Sequence, residues 1–132
     1  RKQAEFTLAL RQANPARSIG AFFEATGVYR LFVSGIDPGE LHRFVQEELG
    51  ALLHLEETER SLMLESLRVM LDTNLAMANT SRVLGLSRQT VYQRRDRLEE
   101  LLRCQLDDPQ KRLSLSLALN ALDFESLAVS RR

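Results

Sequence analysis

A mainly α-helical fold is what this 132-residue sequence predicts. Three observations carry that prediction. Apolar residues recur at three- and four-residue spacing through most of positions 38–122, the period of one buried helix face. These stretches open on capping signals (Asp37-Pro38, Ser87, Asp108-Pro109) or close on helix stops (Thr73-Asn74, Gly85), which mark where helical hydrogen bonding begins and ends. Hydrophobic residues make up 44% and charged residues 27%, a balance that supports a packed core rather than disorder.

The elements follow in order. Residues 2–13 (KQAEFTLALRQA) read as a helix that stops near Asn14-Pro15, because proline disfavours helix in the residue before it. "SIGAFFEATG" reads as a short strand or an extended lead-in. "GVYRLFVSG", between Gly27 and Gly35, is largely apolar and suits helix or strand; helix is the reading taken. From Asp37-Pro38 a helix places Leu41, Phe44, Val45, Leu49, Leu52 and Leu53 on one face. A second, Glu57 to Asp72, aligns Leu64, Leu67 and Leu71. A short helix near Ala78–Leu84, a Gly-Leu-Ser break and a longer helix from Arg88 to Arg103 come next. The last segment, "LSLSLALNAL", alternates with the period of a strand. Asp108-Pro109 and the four-residue spacing of Leu113, Leu117 and Ala121 argue for helix instead.

The break in "SRVLGLSRQTVYQRRDRLEELL" is the most informative feature. Glycine adopts positive φ without a Cβ clash, so Gly85 can end one helix and turn the chain sharply. Ser87 can cap the next helix. Small Ser81 allows close approach, and Leu84, Leu86 and Val91 are placed to pack between the helices. A short helix, a tight glycine turn and a second helix make a helix-turn-helix. Advancing ~100° per residue along the second helix, with Val91 buried, brings Leu98 and Leu102 to the same side. Gln89, Gln93 and Glu100 then face outward, flanked by Tyr92 and Asp96 on one side and Thr90 and Arg97 on the other.

Charge agrees with that orientation. The formal net charge is zero, but positions 37–65 carry eight acidic residues and two arginines, a net of −6. Positions 82–97 carry five arginines and one aspartate, a net of +4. A local basic stretch matters more to a phosphate backbone than the total. The early residues of such a helix meet base edges in the major groove of double-stranded DNA. Gln89, Gln93 and Arg88 are therefore the expected base contacts, since glutamine pairs with adenine and arginine with guanine. Thr90, Tyr92, Arg97, Ser87 and Asn79 are the expected backbone contacts. Asp96 is awkward near phosphates; pairing with Arg88 or Tyr92, or rejection of some sequences, would accommodate it. A plain amphipathic hairpin with a solvated arginine-rich face, serving as a dimerisation or interaction module, fits charge and spacing as well.

These pieces together resemble a known family. Leu67-Arg68, Leu71-Asp72 and Asn74, then Leu84 to Arg94, then Leu106-Asp107-Asp108-Pro109 are similar to the C-terminal DNA-binding domain of PucR/CdaR transcription regulators. The resemblance implies a wingless, Fis-like helix-turn-helix bundle over residues 57–132. It also implies that 1–56 are the end of an upstream, degenerate cyclase-like regulatory domain and its helical connector, with room for one short strand. Two positions depart from the family pattern: Ser81 stands where alanine is usual, and Gln89 where asparagine is commoner. Arg94 falls where many helix-turn-helix motifs are apolar; its stem can cover the core while its guanidinium reaches a carboxylate or phosphate. The family implies sequence-specific DNA binding as a homodimer, with a small-molecule effector bound by a region outside this stretch.

Other chemistry is poorly represented. His54 and Glu57, three apart, lack further ligands nearby and read as exposed polar residues; His42 reads as a surface residue. Cys104 has no histidine near in sequence and reads as a half-buried packing residue. The run Glu56-Glu57-Thr58-Glu59 reads as solvated helix surface. No cofactor, metal site or catalytic grouping is expected. No apolar run approaches the ~20 residues of a membrane helix, and one cysteine cannot form an internal disulfide, which suits a cytoplasmic protein. A start at Arg1 rather than methionine suggests a piece of a longer chain.

Overall fold

The computed structural model describes the backbone of residues 19–130 and the side chains of residues 27–127, and all regular structure within them is helical. The helices are α1 (Ile19–Gly35), α2 (Pro38–Leu53), α3 (Glu57–Asp72), α4 (Met77–Leu84), α5 (Arg88–Leu102) and α6 (Pro109–Ser130). The helix expected over residues 2–13 lies outside the described residues. The short strand considered for residues 18–27 is not formed: from Ile19 onward that stretch is the first part of α1.

The chain divides into two compact units, one comprising residues up to Val45 together with those from Leu117 on, the other Gln46–Ser116. In the first, Tyr29 and Phe32 of α1 both reach Phe124 of α6, with ring centroids 5.6 Å away in each case. This explains why "GVYRLFVSG" is helix. Residues three apart share one face of a helix but point to opposite faces of a strand, so only a helix lets both rings meet one partner. His42 of α2 is exposed as expected, and its Nδ1 lies 3.1 Å from Glu125 Oε2.

The second unit holds the turn. It begins at Gln46 and ends at Ser116, whereas the sequence reading divides the chain between 56 and 57. Because α2 is one continuous helix, buried Leu41 and Val45 belong to the first unit and buried Leu49 and Leu52 to the second. Asp37 caps α2 as expected, its Oδ2 accepting from the N–H groups of Gly39 and Glu40. Within this unit α3, α4 and α5 pack against one another. The buried face of α3 is Met63, Ser66, Leu67 and Met70; Leu64 and Leu71, one residue round, are half-buried. At the α3–α4 corner the Thr73 hydroxyl lies 2.7 Å from that of fully buried Thr80. Each hydroxyl also lies within hydrogen-bond reach of a carbonyl four residues back, Val69 or Ala76; one donates to its neighbour's oxygen and the other to its carbonyl, so both hydroxyls are satisfied.

The period-two run resolves as helix α6, with only part of the expected face inside. Ala121 is buried as expected, together with Leu115, Ala118, Leu119 and Leu127, while Leu113 is 58% exposed and Leu117 half-buried. Two residues along a helix is a turn of ~200°, so Leu113 and Leu115 cannot both face the core.

Three helices of the second unit end in left-handed backbone, at Asn74 (φ 52°), Gly85 (φ 67°) and Arg103 (φ 54°). At Gly85 a Cβ would meet nothing within 4 Å. Gly85→Ala is therefore expected to cost only the backbone penalty of a Cβ at positive φ, about 1 kcal/mol, read as a lower urea midpoint at unchanged slope.

Candidate nucleic-acid interface

The turn is built from local hydrogen bonds. The N–H of Gly85 donates to the Arg82 carbonyl (3.3 Å) and that of Leu86 to the Ser81 carbonyl (3.0 Å). This paired pattern closes a helix on a left-handed residue. Ser81 Oγ donates to the Leu86 carbonyl, so the small residue there ties the turn as well as permitting close approach. Ser87 then opens α5 in extended backbone, its Oγ accepting from the Thr90 N–H at 3.2 Å.

Val91 and Leu98 are the fully buried residues of α5, and Leu102 is half-buried. Arg88, Gln89, Tyr92, Gln93 and Asp96 are exposed. Among the described residues none of these five side chains makes a hydrogen bond or ion pair within the protein. The two amides thus stand in solvent on one side of the helix, with donor and acceptor both free.

The expected backbone contacts are more committed. Ser87 Oγ and Thr90 Oγ1 lie 2.9 Å apart. One hydroxyl hydrogen serves that bond and the other remains available to a phosphate. Asn79, exposed on α4, accepts from Arg82 Nη2 through its side-chain oxygen, which leaves its amino group free. Arg97 is held by Glu59 of α3 at 3.3 Å and by Glu100 at 3.4 Å. With Arg97 and Glu59 both about two-fifths exposed, such pairs stabilise by only ~0–1 kcal/mol, little enough for a phosphate to displace them.

Tertiary packing thins the basic stretch. Arg94 is half-buried, and its guanidinium donates to the hydroxyl of buried Ser66 at 3.0 Å rather than to a carboxylate. Arg95 lies 3.8 Å from Glu99, whose Oε2 also accepts from the Leu106 N–H. Asp96 pairs with neither Arg88 nor Tyr92; it lies eight residues, ~12 Å along the axis, past Arg88. Arg82, to which the sequence reading assigns no contact, is exposed beside Asn79 and joins Arg88 as a positive charge open to solvent; its place in the basic stretch was the available signal.

The remaining candidates settle into structural roles. His54 is exposed with Nδ1 2.6 Å from the Gly50 carbonyl. Among the described residues no cluster of three or more His, Cys, Asp or Glu could hold a metal. Cys104 is half-buried, and burial pushes its thiol pKa up, against the opposing pull of the Lys111 ammonium; a thiol held protonated is a poor nucleophile. Lys111 itself bonds Glu48 at 2.9 Å, which raises its pKa. No helix among the described residues is long and apolar enough to cross a membrane.

Comparison with known proteins coincides with this geometry. Residues 63–121 match the family described as the PucR C-terminal helix-turn-helix domain. The purine catabolism regulatory protein of Bacillus subtilis (strain 168) is 35% identical over 80 residues, which are 61% of this chain and 15% of that protein. This chain therefore corresponds to a small part of that relative's length. No solved structure matches it.

Proposed function

Residues 63–121 are a C-terminal helix-turn-helix domain of the PucR family of DNA-binding regulators, and from that premise we propose that α5 reads a specific sequence in the major groove. The observation that carries the reading is the pair of exposed, unpartnered amides of Gln89 and Gln93, on the helix that follows the Gly85 turn. Arg88, at the first helical position, reaches either a guanine edge or the adjacent phosphate. Arg82 and Asn79 of α4, the Ser87–Thr90 hydroxyls, Tyr92, and Arg97 once released from Glu59 position the helix on the backbone.

The protein acts as a homodimer in this reading, with two recognition helices ~34 Å apart on a palindromic or repeated site. The wider protein regulates transcription in response to a small molecule bound outside this chain. By its name the Bacillus relative regulates purine catabolism, and a catabolic gene set is the corresponding expectation here.

Selection of bound duplexes from a random pool tests this directly. An enriched site is expected; a pool that stays random would overturn the proposal. Few arginines are open to phosphates, so the slope of log K against log salt should be shallow. Two or three contacts predict roughly −2 to −3 per bound protomer. Arg88→Ala is expected to weaken binding and reduce the slope by about 1 if Arg88 meets phosphate. If it meets guanine instead, one base position relaxes and the slope holds.

A further inference from the structure

We infer that Asp96 is a specificity-determining residue, reading a cytosine beyond the base pairs met by the two glutamines. This rests on the base-reading role of α5 proposed above. At ~100° per residue Asp96 falls within about 20° of Gln89 and about 60° of Gln93, so it continues their exposed strip. It lies seven residues past Gln89, ~10 Å along the axis, or about three base-pair steps of 3.4 Å.

The electrostatics around it are unusual for a carboxylate in an arginine run. Arg94 is turned to Ser66, Arg95 to Glu99, and Arg97 to Glu59 and Glu100. The Asp96 carboxylate is left exposed and without a hydrogen bond or ion pair among the described residues. A carboxylate only accepts hydrogen bonds, and phosphates offer it no donor and repel its charge. Once α5 enters the groove, a donor must come from the base edges. These present the cytosine N4 and adenine N6 amino groups. Adenine N6 sits beside the N7 acceptor, which would face the second carboxylate oxygen; cytosine has no such acceptor on its own edge. Glutamine, carrying both donor and acceptor, satisfies N6 and N7 together and so prefers adenine. The strip thus combines amides suited to adenine with a carboxylate suited to cytosine.

The test is selection from a random duplex pool with the chain as it stands, with Asp96→Ala and with Asp96→Asn. The wild-type pool should hold cytosine at one position flanking the glutamine-read bases. Asp96→Ala should lose that cytosine preference by about tenfold and keep the other positions, while Asp96→Asn should move it toward adenine. A wild-type motif that survives Asp96→Ala unaltered overturns the inference alone, whether affinity rises uniformly or stays the same. Loss of binding to every sequence by both variants overturns it as well. A wild-type pool with no motif at all instead brings down the base-reading role of α5, and this inference with it.

Discussion

Truncating Leu98 to alanine is expected to destabilise the Gln46–Ser116 unit by about 2–5 kcal/mol, the usual range for removing a buried leucine without collapse of the cavity. The size follows from how α5 is held. Of its 15 residues only Val91 and Leu98 are buried, two turns apart on one line. An isolated helix of that length is marginal in water, so its persistence depends on those two side chains packing toward α3 and α4. The other ties are weak by comparison. The exposed Arg97–Glu59 pair contributes ~0–1 kcal/mol, and the hydrogen bond from Arg94 to Ser66 about 1.5–3 kcal/mol as a bond from a charged group. Neither fills the void. Urea unfolding should show a lower midpoint with an unchanged slope. A loss below about 1 kcal/mol would mean that α5 is anchored elsewhere.

Replacing Gln89 and Gln93 together by alanine should act on binding and leave the fold alone. Both side chains are exposed and bonded to nothing among the described residues, so stability should move by no more than about 0.5 kcal/mol; alanine is if anything the better helix former. Each bidentate contact to a base discriminates by ~1–3 kcal/mol, so losing two should cut the preference for the selected site over random duplex on the order of a hundredfold. Binding to random duplex should be nearly unchanged, since no phosphate-facing charge is removed. Competition gel shifts with selected and scrambled duplexes measure the ratio. Equal weakening on both duplexes would show that the amides position the helix without reading bases.

The two experiments separate two kinds of legibility. Asp37, Ser87, Gly85, Asn74 and Asp108-Pro109 announce their helix boundaries because capping and left-handed backbone depend on residues within a few positions of one another. The sequence also ends α5 at Arg103 but does not announce the left-handed conformation there, since arginine carries no turn preference and the Leu106 N–H to Glu99 bond is made only once the following loop has folded. The largely apolar stretch of α1 could not be told from a strand until Phe124, about ninety positions on, supplied one partner for two rings. Leu113 was expected inside because its spacing to Leu117 is helical. The α6 face that is buried centres on Leu115 instead, and spacing alone says which residues share a side, not which side meets a neighbour.

What this chain determined through its sequence alone was therefore the placing of its helices from Pro38 on, the sharp turn at Gly85 and the outward strip of Gln89 and Gln93, all consequences of dihedral preference and a 3.6-residue period. Tertiary structure decided how the arginines are used: Arg94 spent on Ser66, Arg97 shared between Glu59 and Glu100, Arg88 left open. The reason is physical. A cap or a turn is decided by atoms already adjacent along the chain, whereas the partner of a long charged side chain is whichever group packing brings within reach, here 28 residues away for Arg94 and 38 for Arg97.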